Sequence, residues 1–124
     1  MSRPHLKGAT VLVVEDEPLI AMDIAFALKG SGAHVTTTNR VKNALLLVEH
    51  GDLTAAILDH ALRDGESASL CEHLIARRIP FLMYRGFPIL DGPGKDAPHL
   101  AKPASHEQLL DATEALIRDH KISN

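Results

Sequence analysis

Ala55-Ala56-Ile57-Leu58-Asp59 is an apolar run that ends abruptly in a carboxylate, with the turn-forming Arg63-Asp64-Gly65 shortly behind it. A continuous apolar run of this length, bounded by turn residues, suits a strand buried on both faces of a parallel sheet. Open α/β folds place their ligands beyond the C-terminal ends of such strands. Asp59 is therefore expected at the mouth of a site, and it is the candidate reactive residue. Taken alone it reads better as a loop cap, since Asp is common at the ends of elements. The remainder of the chain decides between the two.

Upstream, Thr10-Val11-Leu12-Val13-Val14 is a second apolar run, closed by Glu15-Asp16-Glu17 and Pro18. This reads as a buried strand feeding a helix, with Asp16 accepting from the first turn and Pro18 tolerated at the start. Ile20, Ile24, Ala27 and Leu28 recur at helical spacing until Gly30 and Gly32. His34 to Thr38 is a short run of β-formers, and Val41, Ala44, Leu45 and Val48 make a helical stripe that ends near Gly51. The strand of the opening run then spans Thr54 to Asp59.

Downstream, Leu70, Cys71, Leu74 and Ile75 mark a helix through about Arg78, after which Pro80 resets the chain. Phe81 to Tyr84 is a fourth strand, and His99-Leu100-Ala101 before Lys102-Pro103 is a short fifth. Ser105 and Gln108 have capping-box spacing ahead of a last helix carried by Leu109, Ala112, Thr113, Leu116 and Ile117. Met1 to Gly8 reads as a polar leader and Lys121 to Asn124 as a frayed tail. Alternation of strand and helix implies a parallel sheet with right-handed crossovers and helices on both faces. Between Gly86 and Pro98 the rhythm breaks, because Pro88, Gly92, Pro93 and Gly94 fall there and an interior proline costs a helix about 3 kcal/mol. That segment is expected to be irregular, and the fourth helix absent or very short.

A chain of 124 residues is expected to form a single domain over 1–124, with its core between about residues 9 and 119. With 45% hydrophobic but only 3% aromatic residues, the core must be aliphatic. The formal net charge is −3 and the basic residues are scattered, which argues against a nucleic-acid surface. The lone Cys71 cannot form an internal disulfide, and neither a signal peptide nor a membrane-spanning run is visible. The expected location is the reducing cytoplasm. None of the eight histidines is paired with another at ligand spacing, so zinc is not expected. Gly92-Pro93-Gly94-Lys95 lacks the full spacing of a phosphate loop, and no Gly-x-Ser-x-Gly elbow exists. His60 alternates to the opposite side from Asp59 and reads as a packing or surface residue.

Neighbouring strand ends converge in a parallel sheet, so Glu15 and Asp16 are expected beside Asp59. Three carboxylates in one small space repel unless a hard divalent cation joins them, and an oxygen-only donor set suits Mg²⁺. Lys102 adds a positive charge opposite. Carboxylate nucleophile, metal and lysine together make a site for taking up a phosphoryl group.

Over about Ala9 to Asp119 the chain resembles the receiver domains of two-component response regulators. The match rests on Val13-Val14-Glu15-Asp16-Glu17-Pro18, on Ile57-Leu58-Asp59 with Leu62 and Gly65 behind it, and on Lys102-Pro103. The resemblance implies a flavodoxin-like, doubly wound five-stranded parallel sheet of strand order 2-1-3-4-5. It implies Asp59 as phosphoacceptor, Glu15 and Asp16 with Asp59 as holders of Mg²⁺, Lys102 as the phosphoryl contact, and a cis Lys102-Pro103 bond. A histidine kinase or histidine phosphotransfer protein would be the phosphodonor, and the output an unknown downstream protein. Receivers carry Ser or Thr at the end of the fourth strand. Arg85 stands there instead, and no Ser or Thr occurs between Ser69 and Ser105. Phe81 and Gly86-Phe87 are similar to a stand-alone branch with a Phe-Ala-Thr-Gly-Tyr motif, and His99 replaces the usual aromatic three residues before the lysine.

The expected function is a stand-alone receiver that accepts phosphate on Asp59 and signals by protein–protein contact, catalysing only its own phosphorylation and dephosphorylation. The alternative is a degenerate receiver, a binding module without regulated phosphorylation. Arg85 and the lost helix favour that alternative, whereas intact Glu15, Asp16, Asp59 and Lys102 disfavour it. A phosphatase with an aspartyl nucleophile is disfavoured because Ala61, not an acid, follows two residues after Asp59. With no output domain in the sequence, the receiver is expected to act by docking, by serving as a phosphate sink, or by passing phosphate onward.

Overall fold

The computed structural model describes residues 3–59, 67–85, 94 and 96–123. The apolar run Ala55–Asp59 is the strand β3, every residue of which is buried. β1 (Thr10–Val14) lies beside it in parallel, Val11 level with Ala55 and Val14 with Leu58. On its other side runs β4 (Phe81–Arg85), with Ala56 level with Phe81 and Asp59 with Tyr84. β2 (His34–Thr38) and β5 (His99–Ala101) are the edges, giving a five-stranded parallel sheet of order β2-β1-β3-β4-β5. This is the expected 2-1-3-4-5 topology. Both edge strands are largely exposed, as suits their threonine- and histidine-bearing sequences.

The helices are α1 (Pro18–Gly30), α2 (Val41–His50), α3 (Ser67–Ala76) and α4 (His106–Ser123). Period-two alternation in the strands divides the core in two. Val11, Val13, Ile57, Leu82 and Tyr84 face Ile24 and Leu28 of α1 and Leu109, Leu116 and Ile117 of α4. Leu12, Val14, Leu58 and Met83 face Val41, Ala44 and Val48 of α2 and Leu70, Cys71 and Leu74 of α3. Among the described residues no helix lies between β4 and β5. Gly94 and 96–98 form a turn, Ala97 N–H donating to the Gly94 carbonyl at 3.2 Å, while 86–93 and 95 lie outside the described residues.

Several local expectations are corrected. The cap of α1 is Glu17 and not Asp16: its side chain accepts from Leu19 N–H at 3.3 Å, one residue before Pro18. β3 begins at Ala55, because Thr54 turns its hydroxyl oxygen to accept Thr10 N–H at 3.0 Å. α3 ends at Ala76, and Arg78, at φ 57°, takes the left-handed turn that closes it. Ile75 is 54% exposed and so lies off the buried stripe. The last helix does not fray at Lys121 but runs to Ser123. The leader is not solvated throughout either. Leu6 is fully buried in the α1/α4 core, and Arg3 pairs with Asp111 of α4 at 2.6 Å.

Candidate functional site

β1, β3 and β5 end on one edge of the sheet and deliver the site's side chains. Glu15 follows β1 directly, its N–H donating to Thr38 O at 3.0 Å and so continuing the β1–β2 ladder. Asp59 is the last residue of β3. Glu15 and Asp59 are 2% and 5% exposed, unusual burial for carboxylates. Lys102 reaches both of them, its Nζ 3.0 Å from Asp59 Oδ1 and 3.4 Å from Glu15 Oε1. The Lys102-Pro103 bond is cis, as the resemblance implied.

Among the described residues the Lys102 ammonium serves both buried carboxylates. Burial pushes the Glu15 carboxyl up to about 7, helped by a hydrogen bond and repulsion from Asp59, against opposing pulls from Glu17 N–H and Lys102. For Lys102, burial acts to lower its pKa. The bond to Asp59 and attraction from both acids outweigh that and hold it above its ordinary value. Glu15 Oε2 also accepts from Glu17 N–H at 3.1 Å, which ties the acid to the start of α1.

Of the predicted site residues, the structure thus brings Glu15, Asp59 and Lys102 together. Asp16 is half-buried, and among the described residues no group of three His, Cys, Asp or Glu side chains stands close enough to hold a metal ion as it is. Arg85 is the last residue of β4, level with Ala101 of β5; its side chain, and His60, Leu62, Asp64-Gly65 and Gly86-Phe87, lie outside what is described. Sequence reasoning missed Tyr84 as a member of the site. Lys102 Nζ sits 5.2 Å from the centre of its ring, and its hydroxyl oxygen accepts Ala104 N–H at 3.3 Å. The available signal was alternation along β4, which puts Tyr84 on the face of Leu82 and Ile57.

No family model matches the chain. The transcriptional regulatory protein TcrA of Mycobacterium tuberculosis (strain H37Rv) is 34% identical over 123 residues, covering 92% of this chain and 48% of TcrA. The chain thus spans about half the length of the curated relatives it matches. SdrG from Pseudomonas melonis Fr1, solved in its BeF3-activated conformation, is 39% identical at a TM-score of 0.74, covering 87% of this chain and 95% of SdrG. The receiver domain of the sensor histidine kinase PA1611 from Pseudomonas aeruginosa PAO1 holds a magnesium ion in its active-site cleft. It shares the fold at a TM-score of 0.79 with 22% identity, covering 90% of this chain and 98% of that domain. With the sheet order, the acid–lysine cluster and these likenesses in agreement, the chain belongs to the CheY-like receiver domains of two-component response regulators.

Proposed function

We propose that the chain accepts a phosphoryl group on Asp59 from a histidine kinase or a histidine phosphotransfer protein, and that the modified domain signals through contact with another protein. The observation that carries this is the buried Glu15–Asp59 pair at the strand ends, with the Lys102 ammonium within reach of both carboxylates. Burying like charges costs several kcal/mol per ion, so Glu15 holds its proton more tightly, and a cation joining the pair relieves the repulsion. In the transfer, an Asp59 carboxylate oxygen attacks phosphorus, and the P–N bond to the donor imidazole breaks with its electron pair returning to nitrogen, which then takes up a proton. An acyl phosphate on Asp59 results. Lys102, already bonded to Asp59, neutralises charge on the incoming oxygens.

The donor set of Glu15, Asp16 and Asp59, all oxygen, fits a hard divalent cation such as Mg²⁺. When bound, that ion supplies further neutralisation of phosphoryl oxygens. Glu15 and Asp59 would hold it from the strand ends and Asp16 from the start of the β1–α1 loop. The donor protein has a surface to meet. Leu19, Met22 and Phe26 form an exposed stripe on α1 beside the site, each more than 60% exposed. Arg85, at the end of β4, is proposed to stand in for the switch hydroxyl by pairing with phosphoryl oxygens.

Beryllofluoride, which mimics an aspartyl phosphate, tests the reading without turnover. The expected result is a bound ¹⁹F resonance that requires both Mg²⁺ and Asp59 and disappears in Asp59→Asn. A wild-type protein that binds no beryllofluoride at millimolar Mg²⁺ would leave the chain a binding module.

A further inference from the structure

Lysine carries its charge on a flexible four-carbon stem, so an ammonium at the mouth of a site has many positions open to it. Here one neighbouring side chain touches the loop that carries it at two points. Tyr84 lies level with Asp59 across the β3–β4 ladder and is 8% exposed. Its ring stands 5.2 Å from Lys102 Nζ, and its hydroxyl oxygen accepts from Ala104 N–H at 3.3 Å. The two contacts fall on either side of Pro103. A residue present only to fill the core would need neither, and Leu82, two positions earlier on the same face, fills it with no polar atom at all. The negative face of an aromatic ring attracts an ammonium, most strongly when both are shielded from water. Two of the ammonium's neighbours are the carboxylates of Asp59 and Glu15, and the ring is a third.

We propose that Tyr84 is a positioning residue: by holding both Lys102 and Ala104 it aims the Lys102 ammonium at Asp59 for phosphoryl uptake. This rests on the function proposed above. The aiming itself exists in the unmodified protein, so the two can fail separately.

The test follows Lys102 by NMR in protein with ¹³C-labelled lysine, its signal identified by its loss in Lys102→Ala, alongside the initial rate of phosphoryl uptake from acetyl phosphate with Mg²⁺. The Lys102 ε-methylene protons are expected upfield of the other lysines in wild type and in Tyr84→Phe, which keeps the ring, and to return to the common position in Tyr84→Leu. Uptake is expected to slow by about fivefold in Tyr84→Leu. Tyr84→Leu combined with Lys102→Ala should be no slower than Lys102→Ala alone, because the tyrosine acts through the lysine. A Lys102 signal that ignores Tyr84→Leu, or a double variant slowed by the product of the two single effects, would overturn the proposal. Should Tyr84→Leu fail to fold, Tyr84→Phe still decides: loss of the hydroxyl must speed exchange of the Ala104 amide, and an unchanged amide counts against the clamp. If wild type takes up no phosphate at all, the function fails while the Lys102 signal still decides the positioning.

Discussion

At the scale of the residue, Glu15 carries most of the tension. Its carboxyl is raised in the folded state to about 7 from an ordinary 4.5, so between these values the folded chain keeps a proton that the unfolded chain has released. The contribution is fully present below about pH 4.5 and is lost as pH rises through 7. Glu15→Gln has no proton to lose. In EDTA, its stability relative to wild type should therefore grow from pH 5 to pH 8, reaching on the order of 2 kcal/mol by urea denaturation. A difference that stays flat with pH would show that Glu15 is not strained. Cys71 is a quieter case. The thiol is 3% exposed, and burial, with Glu72 nearby, pushes it up to about 11. A thiol reagent at pH 8 should leave the native protein unmodified and react fully once guanidinium has unfolded it. Fast native labelling would contradict that burial. The acids and the lysine were legible in sequence because strand-end carboxylates declare themselves. Tyr84 was not, because an aromatic in a buried strand looks the same whether it packs or clamps.

At the scale of the element, the ends of helices decide more than their middles. α3 closes with Arg78 at φ 57°, so that Ile79 N–H reaches Leu74 O at 3.0 Å. That left-handed position is one glycine prefers, and a residue with a Cβ pays for it. Arg78→Gly should raise stability by about 1 kcal/mol; a loss would mean that the arginine side chain holds something the turn needs. At the start of α4 the predicted box is formed in both directions. Gln108 N–H donates to Ser105 Oγ at 3.1 Å, and Ser105 N–H donates to Gln108 Oε1 at 2.9 Å. Ser105→Ala should cost about 1 kcal/mol, read as a lower urea midpoint at unchanged slope. This box was readable because Ser and Gln sit three apart ahead of an apolar stripe. The α1 cap was misassigned among Glu15, Asp16 and Glu17 because three consecutive acids offer the same chemistry, and only backbone geometry chooses between them.

At the scale of the whole molecule, the five strands were legible because each is a short apolar or β-branched run. Their order came from the resemblance, since alternation of strand and helix fixes direction but not sequence of neighbours. The N-terminal segment was misread. A lone leucine among Arg3, His5 and Lys7 gives no periodic signal, yet Leu6 is fully buried and seals the end of the α1/α4 core. Leu6→Ala should cost about 2–4 kcal/mol by denaturant unfolding, a loss no polar leader would show. All of this framework serves to hold Glu15, Asp59 and Lys102 together at the C-terminal ends of the strands, where Asp59 is proposed to take up a phosphoryl group. Incubation with acetyl phosphate and Mg²⁺ followed by intact mass measurement tests that uptake. Wild type is expected to gain one phosphoryl group, EDTA to prevent the gain, and Asp59→Asn to gain none. A wild-type mass that does not change, or an Asp59→Asn protein that gains as much as wild type, would contradict it.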